Sequence, residues 1–128
     1  MKSFSIAVST FLAVSAAYAQ SPSYTEKQMQ LARQMGSVIM LSRDCGIPIP
    51  SDQFERALLS EGLQKSDVIN KTVFFATMQE QANAMARAKA VRQELGENDS
   101  DIKLWSCAQL RESYGPTGLI RRNLSDIK

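Results

Sequence analysis

The two cysteines, Cys45 and Cys107, are the side chains of this sequence with the greatest capacity for chemistry. The chain contains no histidine, so it lacks the commonest general base and the usual partner that activates a thiol as a nucleophile. Two cysteines without imidazole also fall short of the ligands that a zinc site requires. Their even number instead predicts one intramolecular disulfide, formed in an oxidising compartment.

Pairs of carboxylates are the other residues that could perform acid–base catalysis. Glu55 with Glu61, and Glu80 with Glu94, lie among Lys and Arg on the polar sides of predicted helices, which is typical of solvated surfaces. The sequence also contains neither a glycine-rich phosphate loop nor a G-x-S-x-G elbow. We therefore expect a protein that is not an enzyme and that uses no metal or cofactor.

The overall charge argues against a polyanionic partner. The 15 Lys and Arg residues against 13 Asp and Glu give a formal charge of +2, whereas nucleic-acid binding proteins usually carry a larger, clustered basic excess. Arg87, Lys89 and Arg92 form one basic cluster, but it is near the end of a predicted helix, where cations complement the helix dipole. We expect no nucleic-acid partner.

Residues 1–19 have the pattern of a secretory signal peptide. Lys2 supplies the positive charge, residues 6–14 are mostly apolar, and Ala17-Tyr18-Ala19 places small residues where a signal peptidase cleaves. The apolar stretch is too short and too rich in serine for a membrane anchor. We therefore predict a single mature domain over 20–128, without a membrane span, that is periplasmic or secreted.

Helical periodicity dominates the predicted mature chain, and no useful strand-like alternation is present. Cap-forming residues, prolines and glycines mark the ends of four helices, one of them short. The predicted helices run from Thr25 to Asp44, from Ser51 to a stop at Gly62, from Ser66 or Asp67 to Gly96, and from the turn at 97–100 to Gly115-Pro116.

These elements predict an all-α fold, a small irregular four-helix array braced by one disulfide between Cys45 and Cys107. Trp105, two residues before the second cysteine, is expected in the core beside that disulfide. Residues 117–128 have only scattered apolar side chains, and we expect them to form a loosely held tail.

Two groups of residues are candidates for an interaction surface. Met29, Gly36 and Met40 add a second apolar stripe to the first helix, which would pack on another helix, on a separate protein or on the same patch of a second copy in a homodimer. Tyr114 and Pro116 are part of a turn rich in glycine that could recognise a partner. The alternative is a simple helix stop in which Tyr114 packs back on the core.

A candidate apolar pocket is assigned to the third predicted helix. Its members are Phe74, Phe75, Met78 and Met85, whose adaptable side chains could hold a hydrophobic ligand. The ordinary alternative is that they fill the core. Asn70, Asn98 and Asn123 match the glycosylation acceptor pattern, which is relevant only in a eukaryotic host.

The function favoured by these observations is that of a small exported, non-enzymatic protein-interaction module of inhibitor or immunity type, whose partner is another protein in the periplasm. A carrier of a hydrophobic small molecule and an acid-stress periplasmic chaperone are the alternatives. In outline the chain resembles both periplasmic acid-stress chaperones and immunity proteins, which are also small, exported, helical and braced by one disulfide. This resemblance rests on no specific motif, so it implies no functional residue.

Overall fold

The computed structural model describes residues 23–69 and 71–127. The predicted signal peptide, 1–19, and Asn70 lie outside these residues. Every regular element in the described ranges is an α-helix, so the prediction of an all-α fold is confirmed. The helices are α1 (Glu26–Cys45), α2 (Ser51–Ser60), α3 (Lys65–Ile69), α4 (Val73–Glu94) and α5 (Asp99–Tyr114).

Helix α1 begins and ends at residues that the sequence marks clearly. The Thr25 hydroxyl accepts a hydrogen bond from the Gln28 backbone N–H at 3.1 Å, and the Gln28 side chain accepts one from the Thr25 N–H at 2.9 Å. This reciprocal pair satisfies two amides that would otherwise have no helical acceptor. At the other end Gly46 adopts a left-handed conformation with φ of 79°, which glycine accommodates without strain.

Helix α1 is the centre of the fold. Its inward face is fully buried and packs mainly against α4 and α5. The buried apolar residues of this face are Leu31, Ala32, Met35, Val38, Leu41 and Cys45. The long helices α4 and α5 make most of the contacts with α1, whereas α2 makes few.

The two neighbours of α1 run in opposite directions. Ser37 receives a hydrogen bond from Gln81, and Asp44 receives one from Lys89, so residue numbers rise together along α1 and α4, which are parallel. The disulfide joins Cys45 to Cys107, whereas Ser37 is hydrogen-bonded to Tyr114. Numbers therefore rise along α1 as they fall along α5, and these two helices are antiparallel.

The disulfide predicted between Cys45 and Cys107 is present, with a Cα–Cα distance of 5.0 Å. It ties the last residue of α1 to the middle of α5. Since 62 positions separate the two cysteines, the bond closes a long loop and strongly restricts the unfolded chain.

The third predicted helix is interrupted, and this part of the prediction was wrong. Instead of one element from Ser66 or Asp67 to Gly96, the structure has the short α3 and the long α4. The Thr72 hydroxyl accepts a hydrogen bond from the Phe75 N–H at 3.1 Å and donates one to the Asp67 carbonyl oxygen at 2.6 Å. Thr72 thereby starts a new helix, as threonine often does.

The segment after α5 is packed against the core, contrary to the expected loose tail over 117–128. Leu124 is only 1% exposed and belongs to the main hydrophobic cluster. Backbone amides of Leu119, Ile120 and Ser125 donate to carbonyl oxygens of Glu112, Ser113 and Tyr114 at 3.0 Å each. The periodicity of a helix is absent here, so the sequence pattern did not reveal this packing.

Candidate functional site

The residues predicted to form an interaction surface lie in different environments. Gly36 is buried where α1 packs against α4, and Tyr114 is buried in the core. Neither residue is therefore accessible to a partner. Met29 and Met40 are half-buried on α1, and Pro116 is exposed. The structure therefore does not combine these five residues into one surface.

The four residues of the predicted apolar pocket also separate. Phe74 and Met78 are core residues. The centroid of the Phe74 ring lies 5.7 Å from that of the Tyr24 ring. Phe75 lines an open cavity of about 560 Å³ at the start of α4, beside Lys71. Met85 borders a different cavity, of about 410 Å³, at the far end of α4.

That cavity, which we call the Trp105 groove, has a volume of about 410 Å³. It lies between the second half of α4 and the first half of α5, and the end of α1 forms its floor. Its lining residues are Leu41, Asp44, Met85, Ala88, Lys89, Arg92, Ile102, Trp105 and Ser106.

The relative lengths of the helices explain why the groove exists. Asp44, at the end of α1, is level with Lys89 on the parallel helix α4, and α4 continues to Glu94. Beyond Lys89, α4 and α5 form a hairpin that α1 does not reach, and the two helices barely contact each other directly. The small side chain of Ala88 leaves space on the α4 side of the groove.

Both cations of the groove are paired with carboxylates. Lys89 Nζ lies 2.8 Å from Asp44 Oδ1, and Arg92 Nη2 lies 2.9 Å from Glu97 Oε1, with a second contact from Arg92 Nε to Glu97 Oε2. The hydrogen bonds from Arg92 hold the pKa of the Glu97 carboxyl below its ordinary value. The charges lining the groove are therefore balanced.

Trp105 lies at the edge of the groove and is 41% exposed, so the prediction that it belongs to the core was wrong. The buried residues of α5 are Ile102, Ser106, Leu110 and Tyr114, which recur every four positions and face α1. Trp105 is out of this register and lies on the flank, where Arg92 covers its ring at 4.3 Å from the centroid. That mismatch of register is the signal by which the sequence could have indicated the groove.

Ser106, one of the groove-lining residues, has a buried hydroxyl. Its side chain is 1% exposed, and its Oγ has no hydrogen-bond partner among the described residues. Ser42 on α1 has a comparable buried, unpartnered hydroxyl but does not line the groove. Buried polar atoms without partners are uncommon in folded proteins, and each one invites a specific explanation.

The α4–α5 hairpin also carries exposed apolar side chains. Leu95 is 80% exposed and Leu104 is 71% exposed, and Val91 lies one turn before Leu95 on α4 with more than half of its surface accessible. We call these three residues the hairpin tip. None of them lines the Trp105 groove, so the two features are distinct.

A second, more polar cavity of about 450 Å³ separates α2 from the C-terminal segment. Three guanidinium groups border it, those of Arg56, Arg121 and Arg122. Arg121 Nε donates a hydrogen bond to Gln34 Oε1 at 2.6 Å, and Arg121 Nη2 lies 3.5 Å from Glu61 Oε1. These contacts join the C-terminal segment to α1 and to the residue that follows α2.

Two of the four carboxylates considered for catalysis form ion pairs. Glu55 forms an ion pair with Lys65 at 3.5 Å, and Glu61 contacts Arg121. Across 23–69 and 71–127, no group of Cys, Asp and Glu side chains is arranged to hold a metal ion. Nor does any helix in these ranges combine the length and apolar character needed to cross a bilayer.

No family model, curated protein or solved structure shows significant similarity to this chain. The assignment of function therefore depends on the geometry of the hairpin tip and of the groove.

Proposed function

We propose that this chain is a small exported, non-enzymatic protein-interaction module of inhibitor or immunity type, which binds its partner through the hairpin tip. The observation that carries this proposal is the exposure of Leu95, at the end of α4, and of Leu104, in the first half of α5. Single exposed apolar residues are normal on protein surfaces, whereas several at one projecting end favour a binding surface.

The scaffold beneath the hairpin tip supports this role. Cys107 is three residues after Leu104 on α5, and its disulfide connects that helix to the end of α1. The Arg92–Glu97 pair closes the other side of the hairpin, across the turn that joins α4 to α5. A surface held in place in this way loses little conformational entropy when it binds, which favours affinity.

Burial of the hairpin tip against a partner would supply part of the free energy of binding. Complete burial of one leucine side chain contributes roughly 1.5–3 kcal/mol. Three apolar side chains could thus supply the central contacts of an interface, around which polar residues exclude water.

Site-specific photo-crosslinking tests the proposal. A photoreactive residue would replace Leu95 or Leu104, and the control would carry it at Leu59, which is 65% exposed on α2. In periplasmic extract we expect the same discrete protein adduct from both hairpin positions and no such adduct from position 59. Identical adducts from all three positions, or none from the hairpin, would contradict the proposal.

The identified partner then allows a quantitative test. The double variant Leu95→Asp and Leu104→Asp should bind that partner at least tenfold more weakly, because charge on the apolar contact must be desolvated. Its unfolding midpoint should change little, since both side chains are exposed in the free protein. If the partner is a toxin or an enzyme, the wild-type chain should inhibit it and the double variant should not.

A further inference from the structure

The Trp105 groove has the composition of a small-molecule site. Its walls are predominantly apolar, with Leu41, Met85 and Ile102 on α1, α4 and α5 respectively, and an aromatic ring at the edge. Its volume of about 410 Å³ falls within the usual range for ligand pockets, about 300–1,000 Å³. Such pockets combine apolar walls with a few polar atoms that orient the ligand.

Ser106 provides such a polar atom. Its hydroxyl is buried and has no partner in the described protein, yet the residue lines the groove. A hydroxyl both donates and accepts hydrogen bonds, so rotation of this short side chain toward the groove would let a ligand hydroxyl or carbonyl group satisfy it.

The charges around the groove restrict the ligand further. Lys89 and Arg92 are the cations of the lining, and Asp44 and Glu97 already neutralise them. A charged ligand would have to lose its own hydration and also displace one of these pairs. An uncharged ligand avoids both costs.

We infer that the Trp105 groove binds an uncharged amphipathic small molecule, whose apolar body lies between α4 and α5 and whose single hydroxyl or carbonyl group hydrogen-bonds to Ser106 Oγ. This site is additional to the proposed protein-binding role of the hairpin tip, because Leu95 and Leu104 do not line the groove.

The chain carries its own probe for this binding. Trp105 is the only tryptophan in the sequence and borders the groove, so its fluorescence reports on occupancy. Decanol is a suitable test ligand because it has an apolar chain and one hydroxyl group. We expect a saturable change in Trp105 emission on titration of the full mature chain with decanol.

Two serine variants form a matched pair for this titration. Ser106→Ala should weaken decanol binding roughly three- to tenfold, the effect of one lost neutral hydrogen bond. Ser42→Ala removes a second buried hydroxyl that has no partner among the described residues, and it should leave the affinity unchanged. Equal affinities for the two variants would overturn the role of Ser106.

Two further arms test the location of the ligand and its charge. Ala88→Leu should fill the groove and weaken decanol binding at least tenfold, while the helical content of the variant stays unchanged. Decanoate, which has the same chain length with a carboxylate, should bind at least tenfold more weakly than decanol. Decanoate binding as tight as that of decanol, or no saturable decanol binding, would overturn the inference.

The double variant Leu95→Asp and Leu104→Asp separates this inference from the proposed function. It should bind decanol like the wild type even though it loses the protein partner. A photoreactive residue at Ala88 that captures the same protein as position 95 would instead assign the groove to the protein interface and overturn the small-molecule site.

Discussion

Gly36 of α1 lies directly against the backbone carbonyl oxygen of Met78 in α4, so that a Cβ atom at Gly36 would be only 2.3 Å from that oxygen. This close approach sets the distance between the two parallel helices. It also explains why a glycine is present within α1, where its intrinsic cost relative to alanine is about 1 kcal/mol.

We expect Gly36→Ala to destabilise the fold by about 1–3 kcal/mol, because the clash is with backbone and α4 must move away. Urea unfolding monitored by circular dichroism measures this change. Ala86→Leu is the control, since it adds a larger group to an exposed position of α4 and should alter the free energy of unfolding by no more than about 0.5 kcal/mol. A neutral or stabilising Gly36→Ala would show that the helices are not in such close contact.

The disulfide is expected to contribute a large part of the stability. The entropy of closing a loop between Cys45 and Cys107 corresponds to about 4 kcal/mol, and we expect the double variant Cys45→Ser and Cys107→Ser to lose about 2–4 kcal/mol. Unfolding with and without a reductant provides the comparison. Reductant should lower the stability of the wild type and leave the double variant unaffected; a reductant effect on both would argue against the disulfide as its cause.

The packing of the C-terminal segment can be tested with two leucines of very different exposure. Leu124→Ala should cost about 2–4 kcal/mol, because it leaves a cavity in the core. Leu119 is 89% exposed, and Leu119→Ala should change the free energy of unfolding by no more than about 0.5 kcal/mol. Similar small effects for both would indicate that the segment is not part of the core.

The stability should depend on pH in the alkaline range through Tyr114. Burial raises the pKa of its hydroxyl, and the hydrogen bond with Ser37 only partly opposes this. The folded protein thus holds the phenolic proton more tightly than the unfolded chain, so this contribution is complete below about pH 10 and is lost as the pH rises above that value.

Unfolding midpoints of the wild type and of Tyr114→Phe, compared at neutral and alkaline pH, measure this contribution. The variant should lose less stability than the wild type between the two conditions. An equal loss would place the alkaline sensitivity elsewhere, with Tyr24 as the next candidate because burial also raises its pKa.

Local signals in the sequence determined the helix class and most helix ends. The capping box of Thr25 and Gln28, the left-handed Gly46 and the cap at Asn98 each depend on residues within four positions, so they can be identified without the fold. The disulfide was predicted from the composition and the expected compartment, because only one intramolecular pairing of two cysteines exists.

The candidate sites were decided by packing between distant segments. Helical periodicity identifies an apolar face but not which helix covers it, so Phe74 and Met78 became core while Met85 reached the groove. The burial of Leu124 and the exposure of Trp105 were mispredicted for the same reason. Whether a side chain is buried depends on the lengths and directions of helices that are far away in the sequence. Here α1 ends before α4 does, and only the tertiary structure sets this relationship.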